Sequence, residues 1–331
     1  MEKNNHSKVR EFVFVGFPST PLLQSLLFCI FLFIYILTLI SNAVIIIVVR
    51  KVKQLHTPMY IFISALSVLE ICYTTVTTPN LLLLFLTKMK TISFGGCMTQ
   101  LYVFFSLGSS ECLLLAVMAG DRYLAICNPL RYSSLMTSNF SLYLIFGCYL
   151  SGFTASIFTA TFIASLPFCG LNLINHFFCD YPPLLKLSCT DTSTTEKVFF
   201  TLSWSIVLST CLLTMGSYVC IVSTILRMPS SKGRGKAFST CASHLTVVSL
   251  FYGTVIFMYV RPKAKYDLNT DKLVSMFYSV ITPLLNPLIY SLRNQEVRKR
   301  TIMLYQFHCG FSSKQYFKVL KPQVSRRSAN G

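Results

Sequence analysis

Charge is scarce in this chain, because only 12% of its 331 residues are Asp, Glu, Lys or Arg. A soluble domain usually carries about 25% charged residues, so the chain lacks the polar exterior that such a domain needs. The shortage falls in seven long blocks, each with at most one charged side chain. An apolar helix of about 20 residues crosses a bilayer. The blocks predict an all-α membrane protein, a seven-transmembrane helix bundle with spans at about 22–49, 59–85, 97–127, 139–166, 198–226, 237–260 and 273–292.

Acidic residues are also few, with 11 Asp and Glu against 29 Lys and Arg. The loops after the first, third and fifth spans and the C-terminal tail, together with Asp121 and Arg122 at the end of the third span, hold most of the basic residues and only two acids, Asp121 and Glu296. A basic excess marks the cytoplasmic side. We therefore expect an extracellular N-terminus (1–21) with a glycosylation sequon at Asn5. A basic segment at 293–310 should lie on the membrane surface, and 311–331 should be a disordered cytoplasmic tail.

The basic excess indicates contact with anionic lipid or a cytosolic partner rather than nucleic acid, since no nucleic-acid-binding motif accompanies it. Only five histidines are present, and they are dispersed without a nucleophile or metal-ligand set, so the sequence does not predict an enzyme. His176 and Cys179 have a spacing compatible with metal binding. We favour the alternative in which Cys179 forms a disulfide and His176 is an ordinary surface residue, and we predict no metal site.

Four of the 13 cysteines, Cys97, Cys169, Cys179 and Cys189, fall at or in the loops predicted to lie outside, where disulfides persist. Two carboxylic acids, Glu70 and Glu111, fall inside predicted spans, where a charged group is costly and usually functional. Each could be a neutral, hydrogen-bonded acid. The two could instead share a monovalent cation, with Ser67, Ser106 or Asn286 nearby.

The triplet Asp121-Arg122-Tyr123 lies where the third span meets the cytoplasm. Arg122 keeps its charge and needs partners. It is either a snorkelling arginine neutralised by Asp121, or a two-state element that exchanges partners with a moving helix. Two prolines in the seventh span, Pro283 and Pro287, predict kinked backbone in the interior of the bundle.

Four segments resemble one family in order along the chain: 55–60 (LHTPMY), 118–132 (MAGDRYLAICNPLRY), 236–245 (KAFSTCASHL) and 283–294 (PLLNPLIYSLRN). Together they resemble the odorant receptors, a branch of the rhodopsin-like G-protein-coupled receptors, over about residues 10–305. The resemblance implies disulfides between Cys97 and Cys179 and between Cys169 and Cys189. It also implies a polar core in which Glu70 and Glu111 could hold a sodium ion, with no other cofactor.

The resemblance further implies a switch, in which Asp121 holds Arg122 in the inactive state and releases it toward the G protein in the active state. His244 is either a packing residue or part of this switch. The full set that we assign to it is Asp121, Arg122, Tyr123, Tyr218, His244, Asn286, Pro287 and Tyr290.

The family's ligand pocket lies between the third, fifth, sixth and seventh spans. A mostly apolar cavity with a few hydroxyl groups would suit a small, volatile, weakly polar molecule. Mapped onto this chain, the expected wall consists of Phe104, Phe105, Gly108, Ser109, Cys112, Leu202, Ser203, Ile206, Val207, Tyr252, Val255, Ile256, Tyr259, Met276 and Ser279.

The expected function is that of an odorant receptor in the plasma membrane of olfactory cilia, which raises cAMP through a stimulatory G protein. The alternatives are a chemosensory receptor outside the nose and a small-solute transporter. The transporter is disfavoured because the sequence shows no internal repeat and concentrates its proline kinks in one span.

Overall fold

A computed structural model describes residues 9–15, 20–87, 89–169, 172–259 and 268–293. Asn5 and the segment 294–331 lie outside the described residues. That segment holds the predicted cytoplasmic tail and nearly all of the predicted membrane-surface segment.

Seven helices of the described chain are long and apolar enough to cross a membrane, which confirms the predicted fold class. They are numbered here as the first to seventh spans. Their bounds are Pro21–Lys51, Pro58–Leu86, Phe94–Cys127, Ser138–Ala164, Ser193–Leu226, Ser231–Tyr259 and, in two pieces, Leu268–Met276 and Thr282–Arg293.

Local sequence signals explain where several spans begin. The Thr20 hydroxyl caps the first span by accepting a hydrogen bond from the backbone N–H of Leu23, and Pro21 follows it. The Ser93 hydroxyl accepts from the N–H of Gly96 at the start of the third span, and the Thr137 hydroxyl accepts from the N–H of Phe140 at the fourth. Such caps satisfy backbone donors that a helix leaves unpaired at its first turn.

The sixth span begins at Ser231, inside the segment that the sequence suggested was a loop. Two short helices, Pro129–Leu135 and Tyr181–Leu185, lie in loops on opposite sides of the bundle. The seventh span is interrupted by a π-helical turn, Phe277–Ile281. The interruption has a chemical cause, because Pro283 carries no N–H to continue the α-helical pattern.

A small β-sheet, which the sequence reasoning missed, lies at the end of the bundle predicted to face outside, called the outer end below. Strand β1 (Glu11–Val15) pairs antiparallel with β2 (Met89–Ser93) and parallel with β3 (Leu173–Ile174). Phe12 and Phe14 of β1 are fully buried. The sheet thus ties the N-terminal segment to the first and second outer loops.

The polarity of the bundle is that of a membrane protein. Large apolar side chains such as Phe33, Tyr143 and Leu213 are exposed on its outside. Polar side chains such as Glu70 and Asn286 are buried inside. The third span packs against the second, fourth, fifth and sixth spans, so its residues reach both the outer cavity and the inner end.

Candidate ligand-binding site and switch

A cavity of about 70 Å³ opens between the second to sixth spans. At roughly 10–15 Å³ per water molecule it has room for about five to seven waters, so it suits a small ligand. Its described wall consists of Tyr73, Phe104, Phe105, Gly108, Ser109, Cys112, Ala155, Ser156, Thr159, Phe199, Leu202, Ser203, Ile206, Val207, Phe251 and Val255.

Aromatic rings connect this wall to the second outer loop. The ring of Phe104 lies 4.7 Å from that of Tyr73 and 4.6 Å from that of Phe178 in the loop. Tyr181, also in the loop, stacks on Phe199 at 3.6 Å. Since the loop residues Phe178 and Tyr181 are themselves buried, the second outer loop packs directly on the cavity wall.

Ten of the fifteen residues assigned to the pocket from the sequence lie on this wall: Phe104, Phe105, Gly108, Ser109, Cys112, Leu202, Ser203, Ile206, Val207 and Val255. Four lie elsewhere. The Tyr252 hydroxyl donates to the carbonyl of Cys112 at 3.2 Å, Ile256 is 40% exposed on the bundle surface, and Met276 is half-buried against the core. The hydroxyl of Ser279 donates to the Ser275 carbonyl at 2.6 Å. The side chain of Tyr259 lies outside the described residues.

The expected share of the seventh span is therefore corrected, because none of its described side chains lines the cavity. Its outer half packs on the second outer loop instead, where Tyr278 donates to Asp180 at 3.4 Å. The fourth span takes its place with Ala155, Ser156 and Thr159. Tyr73, Phe199 and Phe251 were also missed. A signal for the fourth span existed, since Ser156 and Thr159 are polar residues in a charge-free block.

Two disulfides fasten the second outer loop. Cys97 at the start of the third span is joined to Cys179, and Cys169 is joined to Cys189 within the loop. These are the pairs that the family resemblance implied. The N–H of Cys179 also donates to the side-chain carbonyl of Gln100 at 3.0 Å.

The sequence led us to expect an ordinary surface residue at His176, but its side chain is buried and only 1% exposed. Its Nδ1 accepts from the N–H of Phe178 at 3.4 Å, so Nε2 carries the proton toward the Ser275 hydroxyl at 3.2 Å. Burial, and next the positive charge of Lys272, lower the pKa of His176 from 6.5 to about 3. The described chain contains no group of three or more His, Cys, Asp or Glu residues that could hold a metal ion.

The low pKa of His176 predicts acid sensitivity. The folded protein favours neutral imidazole, so this stabilisation is complete above the unfolded pKa near 6.5 and is lost as the pH falls toward 3. At pH 5 the expected loss is roughly 2 kcal/mol. The melting temperature of detergent-solubilised receptor should therefore fall less between pH 7.5 and pH 5 in His176→Gln than in the wild type. The exposed His56→Gln serves as the control, and an equal fall in all three proteins would contradict the prediction.

A polar core links the first, second and seventh spans. Asn286 donates its side-chain N–H to Glu70, and Asn42 donates to the Pro283 carbonyl at 3.3 Å. Glu111 lies close enough to Glu70 for electrostatic interaction. Glu70 Oε2, Glu111 Oε1 and Asn286 Oδ1 are buried oxygens without a hydrogen-bond partner.

At the inner end, Asp121 accepts a hydrogen bond from the Tyr132 hydroxyl at 2.8 Å. Burial, and next Asp121, raise the pKa of Tyr132, so its proton stays on the phenol. In the part of the chain that the structure describes, Arg122 forms no ion pair with Asp121. Arg122 is nevertheless close enough to interact electrostatically with Asp121, while Tyr132, in the loop after the third span, hydrogen-bonds one oxygen of that carboxylate. The role of Asp121 in holding Arg122 in the inactive state stays a prediction.

The Arg122 guanidinium lies near the fifth and sixth spans, close enough to Tyr218, Cys241 and His244 to interact electrostatically. The Tyr218 hydroxyl is 2.6 Å from His244 Nδ1, so His244 joins these two spans. Tyr123 is half-buried beside the same cluster. Pro287 lies within the helix of the seventh span, and the hydroxyl of Tyr290 is buried without a hydrogen-bond partner.

A seven-helix bundle with a small apolar cavity toward one end and an arginine near the fifth and sixth spans at the other is the architecture of a rhodopsin-like membrane receptor. Comparison with known proteins identifies the family within this class. A family model described as olfactory receptor matches residues 31–306, and the chain belongs to the olfactory receptor family.

Relatives of similar length support this membership. Human olfactory receptor 6Y1 is 49% identical over 318 residues, which cover 95% of this chain and 96% of the relative. Mouse olfactory receptor 6B9 is 52% identical over 294 residues, or 89% and 93% of the two chains. Human olfactory receptor 6B3 is 52% identical over 298 residues, or 90% of each. The family is one of multi-pass membrane receptors rather than enzymes.

Proposed function

We propose that this receptor binds a small, volatile, weakly polar odorant in the cavity between the second to sixth spans and raises cAMP through a stimulatory G protein. The observation that carries the proposal is that one helix, the third span, reaches both the cavity and the inner end of the bundle. The third span contributes Phe104, Ser109 and Cys112 to the cavity wall and Arg122 to the inner end. A ligand and a cytosolic partner can therefore bias the same helix bundle from opposite ends.

The mechanism is a population shift. A ligand that binds the active arrangement more tightly than the inactive one shifts the equilibrium by its difference in affinity. The sixth span lines the cavity through Phe251 and Val255 and contacts the fifth span through His244. Movement of this span would break or remake the contact between Tyr218 and His244 beside Arg122. Tyr132 holds one oxygen of Asp121, and Arg122 interacts electrostatically with the same carboxylate. Activation would exchange that attraction for contact between Arg122 and a G protein.

A sodium ion in the polar core is a further part of the proposal. Support comes from the three buried oxygens of Glu70, Glu111 and Asn286 that lack a hydrogen-bond partner, because carboxylate and carbonyl oxygens suit hard cations. A bound sodium ion would neutralise charge there and favour one arrangement of the spans.

Location in olfactory cilia and glycosylation at Asn5 complete the proposal. The first is supported by family membership and the second by the sequon in a segment predicted to lie outside. We likewise propose the predicted surface segment at 293–310 as a membrane contact, on the basis of its basic residues.

Arg122→Ala should reduce odorant-evoked cAMP by roughly tenfold or more, since it removes the charge placed between the third, fifth and sixth spans. The measurement is a cAMP assay in cells, with responses normalised to surface receptor. Lys51→Ala, which removes an exposed charge from the inner end of the first span, should respond like the wild type. A full response from Arg122→Ala would refute the assigned switch.

A further inference from the structure

The described wall of the cavity carries no Asp, Glu, Lys, Arg or His. A charged ligand would leave water for an apolar site without a counter-charge, which is strongly unfavourable. The nearest acid along the third span, Glu111, is itself buried and lies outside the described wall. The wall therefore selects for neutral ligands.

Three of the four serine and threonine hydroxyls on this wall lack the hydrogen bond to their own helix that many others in the bundle make. A helical serine or threonine commonly donates to the carbonyl four residues earlier, as Ser106 does to Tyr102 at 2.7 Å and Ser205 does to Thr201 at 2.6 Å. In the described chain, the side-chain hydroxyls of the wall residues Ser109, Thr159 and Ser203 make no hydrogen bond, whereas the fourth such residue, Ser156, donates to the Gly152 carbonyl at 2.9 Å. Their three O–H groups come from the third, fourth and fifth spans.

A hydroxyl in an apolar cavity is costly to leave unpaired. Thr159 is 8% exposed, so bulk water does not satisfy it freely. An acceptor inside the cavity would satisfy these donors, and a carbonyl oxygen has two lone pairs that can receive two of them. A hydrocarbon would displace water and leave all three donors without a partner.

The cavity also limits size. Its volume is about 70 Å³, and aromatic rings of Phe104, Phe105 and Phe199 form much of the wall. At Gly108 an added Cβ would meet only the Tyr73 ring, at 3.9 Å. The cavity therefore reaches the helix backbone there, because glycine has no side chain. A compact apolar body with one polar end fits this shape.

We propose that the ligand is a small neutral carbonyl compound, an aldehyde, ketone or ester, whose oxygen accepts hydrogen bonds from two of the three hydroxyl groups of Ser109, Thr159 and Ser203. The inference rests on the proposed function and specifies the ligand class of the same site.

The test is a panel of compounds that share one short carbon skeleton: the hydrocarbon, the aldehyde, the ketone, the carboxylic acid and the amine. Wild-type receptor in cells should raise cAMP with the aldehyde and the ketone at concentrations at least about tenfold lower than with the hydrocarbon, the carboxylic acid and the amine. Of the three variants Ser109→Ala, Thr159→Val and Ser203→Ala, two should raise the half-maximal carbonyl concentration about two- to tenfold. Ser205→Ala is the matched control, because its hydroxyl is exposed and bonded to its own helix.

A wild-type receptor that prefers the acid, the amine or the hydrocarbon overturns the inference and leaves the proposed function standing. Surface-expressed variants that all keep the wild-type carbonyl response also overturn it. If a variant fails to reach the surface, the wild-type panel still decides. A surface-expressed wild type that is silent to every compound overturns the ligand class, and the proposed function is then judged separately by whether Arg122→Ala lowers basal cAMP.

Discussion

Replacement of Gly152 by alanine should abolish most surface expression of the receptor. Gly152 lies in the fourth span directly against the third. An added Cβ would lie 2.7 Å from the backbone nitrogen of Ser110 and 2.8 Å from the carbonyl oxygen of Ser106. Both are backbone atoms of a long helix and cannot rotate away, so the two spans would have to separate. Overpacking of this kind costs about 1–3 kcal/mol or more, and the displaced helices also form the cavity wall.

The matched control is Gly147→Ala, one and a half turns earlier in the same span, where an added Cβ meets nothing within 4 Å. Alanine there should be neutral or slightly stabilising, because it favours the helix by up to about 1 kcal/mol. Flow cytometry of an N-terminally tagged receptor, with total protein measured in the same cells, checks both. Equal surface fractions for the two variants would contradict the close packing of the third and fourth spans.

The sequence could predict the seven spans because their signal is local. Each block with at most one charged residue is long enough to cross a bilayer whatever surrounds it. The disulfide pairs could be inferred only by family resemblance, since four outer cysteines allow three pairings. The close approach at Gly152 had a sequence signal that was missed. Cys148, Gly152 and Ser156 place small residues four apart, as at many membrane helix contacts.

Other features depend on distant contacts that no local pattern records. Strand β1 alternates as EFVFV, but its partners are Met89–Ser93 and Leu173–Ile174, far along the chain. His176 is buried because the outer loop folds onto Ser275 of the seventh span. Tyr132 lies eleven residues after Asp121, and only the turn into the short inner helix brings its hydroxyl to that carboxylate.

Asn286→Ala should destabilise the bundle strongly, because it removes the hydrogen bond that Glu70 receives from the seventh span. Glu70 is 1% exposed, so no water can replace the lost donor freely. A hydrogen bond to a carboxyl group is worth about 1.5–3 kcal/mol when that group is charged. The melting temperature of detergent-solubilised receptor, measured with sodium and with a large organic cation as the only salt cation, should fall in both media.

Glu70→Gln separates the hydrogen bond from the charge. Its side-chain carbonyl can still accept from Asn286, and its new N–H can donate to Asn286 Oδ1, which now lacks a partner. Without sodium, this variant should therefore be at least as stable as the wild type. With sodium, the wild type should gain stability that Glu70→Gln does not gain, since a bound ion stabilises the folded state by mass action. A wild type indifferent to sodium would remove the ion from the core and leave Glu70 as a neutral, hydrogen-bonded acid. An Asn286→Ala variant as stable as the wild type would show that the second and seventh spans are held together by other contacts.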